Sequence, residues 1–288
     1  MDEYNHLTNL FNEIYKVDHA ISMLRWDEAT SMPRNGVKQR ADALTYLSSL
    51  KHDKLQSTDV KNWVHSCWDH PQLTSFEKRN VELIHHKFIL ASSVPNKLMN
   101  EYTRLCIECE NAWRCFRPQN DWLSFKPILN KVFHLKKEIC HHQASSLNLS
   151  VYDLCLDLFS PGLTQKIIDP VFERLRVELS SLIPSVIANQ KSIAHPIVGH
   201  YPSNIQKKMV HRVMSTLSSE LETITVATSD HPFCGGVPED IRLTTCFDEN
   251  NFSIGLMGAC HESGHALYEM GLSKKHQSQP IGQSLGMA

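Results

Sequence analysis

Several absences narrow the field before any motif is read. No run of eighteen apolar residues occurs in the 288-residue chain, so no segment reads as a membrane-spanning helix. The start, Met1-Asp2-Glu3-Tyr4-Asn5-His6, is acidic and polar, the wrong pattern for a secretory leader. Positive charge is not in excess. The 29 Lys and Arg face 31 Asp and Glu, a formal net charge of −2, without the basic stripe of a nucleic-acid footprint. The nine cysteines lack paired, regular spacing, which predicts free thiols in a reducing cytoplasm rather than a disulfide framework. Cys106-x-x-Cys109 has no second pair and lies in a helical stretch, which argues against a zinc ribbon. Internal repeats, low-complexity tracts and flexible linkers are missing too. What remains, 41% apolar and 21% charged, suits a globular chain with a sizeable core.

The apolar residues recur mostly at helical spacing. Residues 4–31 read as a helix through Leu7, Leu10, Phe11, Ile14 and Ile21, stopped at Pro33. A second helix covers 35–52. Residues 58–70 are short and polar, with Trp63, Val64 and Trp68 as expected anchors. Residues 73–116 read as one or two long helices with Pro95 opening the second, 123–149 as another, and Thr164 as the cap of a helix over 165–190. A loop over 195–202 leads to a helix over 203–223. Asp27 and Glu28, beside Arg25, Arg34 and Arg40, read as a capping and salt-bridge network rather than a catalytic acid pocket. His85-His86 reads as a helix face, since no carboxylate lies a turn away.

The character changes after residue 224. Residues 237–247 alternate apolar and polar, as a short strand does, placed as an edge beside a cleft where it could hold an extended peptide. Beyond it, 253–270 reads as a helix that Asp248 or Asn250 can cap and Gly271 can end. It carries His261-Glu262-x-x-His265. Residues four apart stack on one helix face, so the two imidazoles can serve one metal ion, with Glu262 at the edge of that face as general base. Gly258 and Gly264 are poor helix formers, which predicts close backbone approach there. Glu269 lies a further turn on, too far along the helix to share the ion readily.

Four motifs in one order give the chain a family resemblance. Trp26-Asp27 with Met32-Pro33, His231-Pro232-Phe233, Asp240-Ile241-Arg242-Leu243-Thr244 and His261 to Glu269 resemble the carboxypeptidase Taq (M32) family of metallocarboxypeptidases. The resemblance spans the whole chain. It implies a mainly α, groove-bearing zincin-type fold with a short strand element before the His-Glu-x-x-His helix. It implies a divalent cofactor, Zn2+ or Co2+, with His261 and His265 as metal ligands and Glu262 as catalytic base. His231, Asp240 and Arg242 would line or support the substrate groove. It further implies peptide substrates, release of C-terminal amino acids with broad specificity, and a homodimer, with no nucleic-acid or membrane partner.

The family's third ligand, a Glu in a His-Glu-Ser-Gln segment, would fall a few residues beyond Ala288. The expectation is therefore that 1–288 is the N-terminal part of a single catalytic domain, helical over 1–223 and motif-bearing over 224–288. As it stands such a chain would be weak or inactive, completed by a separate C-terminal fragment. The alternative is a catalytically dead relic kept as a binding or dimerisation module.

Overall fold

Helical periodicity becomes a stack of helices, most of them joined by seams of the apolar residues that defined them. The structure is a computed structural model and describes residues 1–190 and 199–284. Part of the loop expected over 195–202 and the last residues of the chain lie outside the described residues.

Helix α1 (Asp2–Thr30) is the spine. Its Leu7, Phe11 and Ile14 pack with Val60 and Val64 of α3 (Thr58–Cys67) and Val81 and Ile84 of α4 (Ser75–Ser92). Ile21 of α1 meets Leu44 of α2 (Val37–Leu55) and Ile107 of α5 (Asn96–Phe116). Leu98 of α5 packs on Leu135 and Ile139 of α6 (Trp122–Leu147), which in turn covers Leu154 of α7 (Val151–Asp157). Caps set the starts: Thr74 and Glu77 close a reciprocal capping box on α4, and Pro95 precedes α5.

Three local expectations change. Trp68 is 46% exposed, because it falls just past α3 where the chain turns outward. Thr164 precedes α8 (Gln165–Asn189) without a side-chain cap bond. His86 does find a carboxylate, from a distant element: its Nε2 lies 2.5 Å from Asp157 Oδ2, while Asp157 Oδ1 accepts Gly162 N. Helix α8 itself forms as expected, but none of its residues is buried. Phe172, Leu182, Ile183 and Val186 on its apolar side are all exposed.

The second body of core joins α9 (Ser203–Leu217), a small sheet and α10 (Phe252–Met270) through Val210, Met214, Leu243, Ala259 and Ala266. The sheet has three strands, β1 (Thr225–Thr228), β2 (Phe233–Val237) and β3 (Asp240–Thr245), in the order β1-β3-β2. The alternating stretch expected as one edge strand is β3 with the turn before it, which closes a hairpin with β2, and β3 is central. It pairs parallel with β1 and antiparallel with β2. Its inner residues Leu243, Thr244 and Thr245 are buried, and a middle strand has no free edge for a peptide. Gly236 enters the hairpin turn at φ +101, where a Cβ would overlap the Asp240 carbonyl. Its backbone N donates to Ser22 Oγ at 3.0 Å, and Ser22 Oγ lies 3.2 Å from its carbonyl, which ties β2 to α1.

Candidate metal centre

Helix α10 is fixed at both ends and along one side. Asn251, not Asp248 or Asn250, is its cap: Asn251 Oδ1 accepts Ser253 N at 3.2 Å, while Asp248 Oδ1 is taken by Asn250 N at 2.7 Å. Gly271 ends it as expected, its N donating to Leu267 O. The side facing the sheet needs small residues. A Cβ on Gly258 would stand 2.9 Å from Thr245 Oγ1 and 3.2 Å from Pro232 Cγ. The close approach expected at Gly258 is there. At Gly264 it is not, since a Cβ would meet nothing within 4 Å.

One turn past Gly258, the two imidazoles come together. His265 Nε2 and His261 Nε2 are 3.3 Å apart, with ring centroids 4.9 Å apart and the rings nearly perpendicular at 81°. Two nitrogens each about 2.0–2.1 Å from a tetrahedral zinc stand about 3.3–3.4 Å apart, so the pair has the spacing of two donors to one ion. His261 is exposed and His265 half-buried. The donor set is two. Among the described residues no group of three His, Cys, Asp or Glu converges on one point. A catalytic zinc takes three protein ligands and keeps one position open, so this pair fits the metal as part of a site.

Glu262 is 6% exposed, and no hydrogen bond or ion pair to its carboxylate is found among the described residues. Its two oxygens are therefore open as hydrogen-bond acceptors. Cys234 on β2 is close by. Burial, then the charges of Glu262 and Glu269, push its thiol up to about 12. Glu269 lines a separate cleft of about 350 Å3 with Tyr15, Ser22 and Cys234.

The His-Pro-Phe loop is hung from β3 by a hydroxyl pair. Ser229 Oγ donates to the His231 carbonyl at 2.6 Å and lies 2.7 Å from Thr244 Oγ1, which accepts Phe233 N at 3.0 Å. Thr244 is fully buried, whereas the His231 side chain is exposed. Through Pro232 against Gly258, this loop reaches the turn of α10 that precedes His261.

Asp240 and Arg242 sit at the other end of β3. Arg242 Nε and Nη2 donate to Asp240 Oδ1 and Oδ2 at 2.8 and 2.9 Å. That hydrogen-bonded pair holds the Asp240 carboxyl below the usual carboxylate range. The Arg242 guanidinium lies 4.9 Å from the centre of the Trp26 ring, and His19 Nε2 lies 3.8 Å from Asp240 Oδ2. Among the described residues no hydrogen bond or ion pair joins Arg242 to His261 or His265. Of the salt-bridge network expected for the acidic pair beside them, only the Arg40–Asp27 ion pair forms among the described residues. Arg40 binds Asp27 and the Leu24 carbonyl, and Asn111 Nδ2 donates to Glu28 Oε1 at 3.2 Å. The residues that sequence reading did not single out are Ser229, Ser22, His19, Thr244 as the anchor of the His231 loop, and Trp26 in its stacking role. The last is legible only in that an Arg and a Trp occupy two of the four shared motifs.

Comparison with known proteins gives this arrangement a context. The family model described as carboxypeptidase Taq (M32) metallopeptidase matches residues 6–288. The thermostable carboxypeptidase 1 of Thermus thermophilus is 28% identical over 282 residues, covering 92% of this chain and 54% of that protein. The carboxypeptidase 1 of Bacillus subtilis is 26% identical, over 100% of this chain and 58% of that one. The solved structure of Trypanosoma cruzi metallocarboxypeptidase 1 superposes with a TM-score of 0.85 at 26% identity, covering 99% of this chain and 58% of its own. The chain thus spans a little over half the length of the relatives it matches.

Proposed function

Because the chain belongs to the carboxypeptidase Taq (M32) metallopeptidase family, we propose that 1–288 is the N-terminal part of a single catalytic domain of a metal-dependent carboxypeptidase. It would remove residues one at a time, with broad specificity, from the C-termini of peptides. The observation that carries this reading is the 3.3 Å separation of the two imidazole nitrogens beside a carboxylate with no other partner.

His261 and His265 would hold a divalent ion, zinc or cobalt. When bound, it supplies Lewis-acid activation at the scissile carbonyl. Glu262 accepts a proton from the attacking water and passes it to the leaving amine. Thr244 and Ser229 fix the His231 loop along the turn that leads into His261. Asp240 orients Arg242 through both of its guanidinium contacts, and Trp26 offers the ring on which that guanidinium rests, so the groove wall is set before substrate arrives.

Two donors are fewer than a catalytic zinc needs, so we propose that this chain by itself has low activity and gains it from a completing C-terminal piece. The setting is cytoplasmic, in keeping with nine free thiols. A second reading, a binding or dimerisation module, is favoured by one observation: the apolar side of α8, of which nothing is buried. Co-expression with the C-terminal part of the Bacillus subtilis relative decides between them. The carboxypeptidase reading expects metal-dependent release of a C-terminal amino acid from a blocked dipeptide, abolished by Glu262→Gln. A complex that forms but releases nothing under any metal supports the module.

A further inference from the structure

Among the described residues, α8 is the one α-helix that gives no residue to any apolar core. Its 25 residues span about 37 Å. It is tied at its start, where Gln165 N donates to Asp153 Oδ1 at 2.6 Å. Beyond Gln165, no hydrogen bond or ion pair among the described residues joins it to another helix or strand. Yet its apolar residues are ordered around the axis. At about 100° per residue, Ile168, Leu175, Leu179 and Val186 fall on one line, with Val171 and Ile183 at the edges of an arc about 120° wide. Between Lys166 and Ala188 that arc holds apolar residues only. Pro170 and Pro184 both fall on the opposite face. Charge flanks the arc and is already matched within the helix. Arg174 Nε donates to Glu178 Oε1 at 2.7 Å on one edge, and Arg176 Nη2 to Glu173 Oε1 at 2.6 Å on the other.

Width and charge decide what such a face can meet. Two identical helices pair along a strict seam of every third and fourth residue, narrower than this arc, which leaves its edges uncovered. A helix that lies on an anionic membrane surface carries Lys and Arg in excess on its polar side. On α8 the cations Lys166, Arg174 and Arg176 are balanced by Asp169, Glu173 and Glu178. An apolar arc wider than about 100° is that of a helix facing the core of a domain, and none of the cores among the described residues includes this one. The Trypanosoma cruzi structure matches 99% of this chain, too much to leave α8 out, and this chain covers only 58% of it. Resting on the reading of 1–288 as the N-terminal part of a catalytic domain, we propose that the apolar arc of α8 is the docking surface for the C-terminal part of that domain. The docking element is helical and brings an uncharged, apolar face of its own, since the arc offers no charge to pair.

Co-expression of the tagged 288-residue chain with the C-terminal part of the Bacillus subtilis relative tests it. The chain is used unaltered, as Phe172→Glu with Leu182→Glu inside the arc, and as Val177→Glu on the opposite face. All three replaced side chains are exposed in the chain by itself, so the variants should fold alike, which circular dichroism checks. The unaltered and Val177→Glu chains are expected to capture the C-terminal piece, and the arc variant to capture at least about tenfold less. Amide hydrogen exchange over Gln165–Asn189 is expected to slow at least about tenfold in the complex. That measurement on the unaltered chain decides if the arc variant does not fold. Undiminished capture by a folded arc variant, or exchange over α8 unchanged in the complex, would overturn the docking surface and leave the reading of the chain as an N-terminal part standing. No capture by the unaltered chain would overturn both, and self-association of that chain, lost in the arc variant, would then assign the face to a second copy.

Discussion

Gly258 and Gly264 lie in the same helix, and the structure predicts different outcomes for the same substitution at each. Replacing a helical Gly by Ala gains about 1 kcal/mol of intrinsic propensity. At Gly264 nothing opposes the gain, because a Cβ would meet no atom within 4 Å. At Gly258 the new methyl would stand 2.9 Å from Thr245 Oγ1 and 3.2 Å from Pro232 Cγ. The hydroxyl cannot swing away cheaply, since Thr245 is buried and donates to Gly255 O at 3.0 Å. Forcing extra volume into such a place costs about 1–3 kcal/mol, which offsets the propensity gain or exceeds it. Gly264→Ala should therefore stabilise by about 0.5–1 kcal/mol, and Gly258→Ala should lie about 1–3 kcal/mol below it. Urea unfolding followed at 222 nm reads both midpoints in one series. Equal stabilisation by the two alanines would refute the packing of α10 on β3 described above, and a destabilising Gly264→Ala would refute the open side of the helix.

Thr244→Val keeps the shape and removes the hydroxyl that Phe233 N donates to. It should cost about 1–3 kcal/mol in urea unfolding, and more than Thr244→Ser. Glu28 is buried, and desolvation raises its carboxyl above the usual range. The folded state then holds the proton more tightly than the unfolded one, so stability falls as pH rises through the folded pKa. Glu28→Gln should therefore raise the urea midpoint at pH 7, with the advantage shrinking toward pH 4.5, and a constant advantage across pH would exclude this cause. With its thiol raised to about 12, Cys234 should resist a disulfide reagent at pH 8 in the folded chain, while exposed Cys115 reacts. Because no α8 residue is buried, Phe172→Glu with Leu182→Glu should leave the unfolding midpoint unchanged and reduce aggregation.

The helices were readable because periodicity reports an apolar face directly: the α1 stripe of Leu7, Phe11 and Ile14 is the seam of the first core. Periodicity does not say what the face meets. The same kind of pattern predicts α8, and none of α8 is buried. Strands β1 and β2 escaped because one has four residues and the other is Phe-Cys-Gly-Gly-Val, whose glycines erase alternation. The alternation of β3 was visible, but its central place depends on pairing with segments that carried no signal. At the site, spacing alone placed His261 and His265 together, since four residues make one helical turn. Long-range partners had no such rule. The stacking of Trp26 on Arg242 joins residues more than two hundred positions apart.

The most direct test is zinc titration of the purified chain by calorimetry, repeated for His261→Ala, His265→Ala and Glu262→Gln. The account predicts one ion, bound with modest affinity by the unaltered chain. Either alanine should weaken binding at least about tenfold, and the Glu262→Gln chain should retain it. Zinc affinity indifferent to both histidines would contradict the metal centre, and with it the assignment of catalysis to α10.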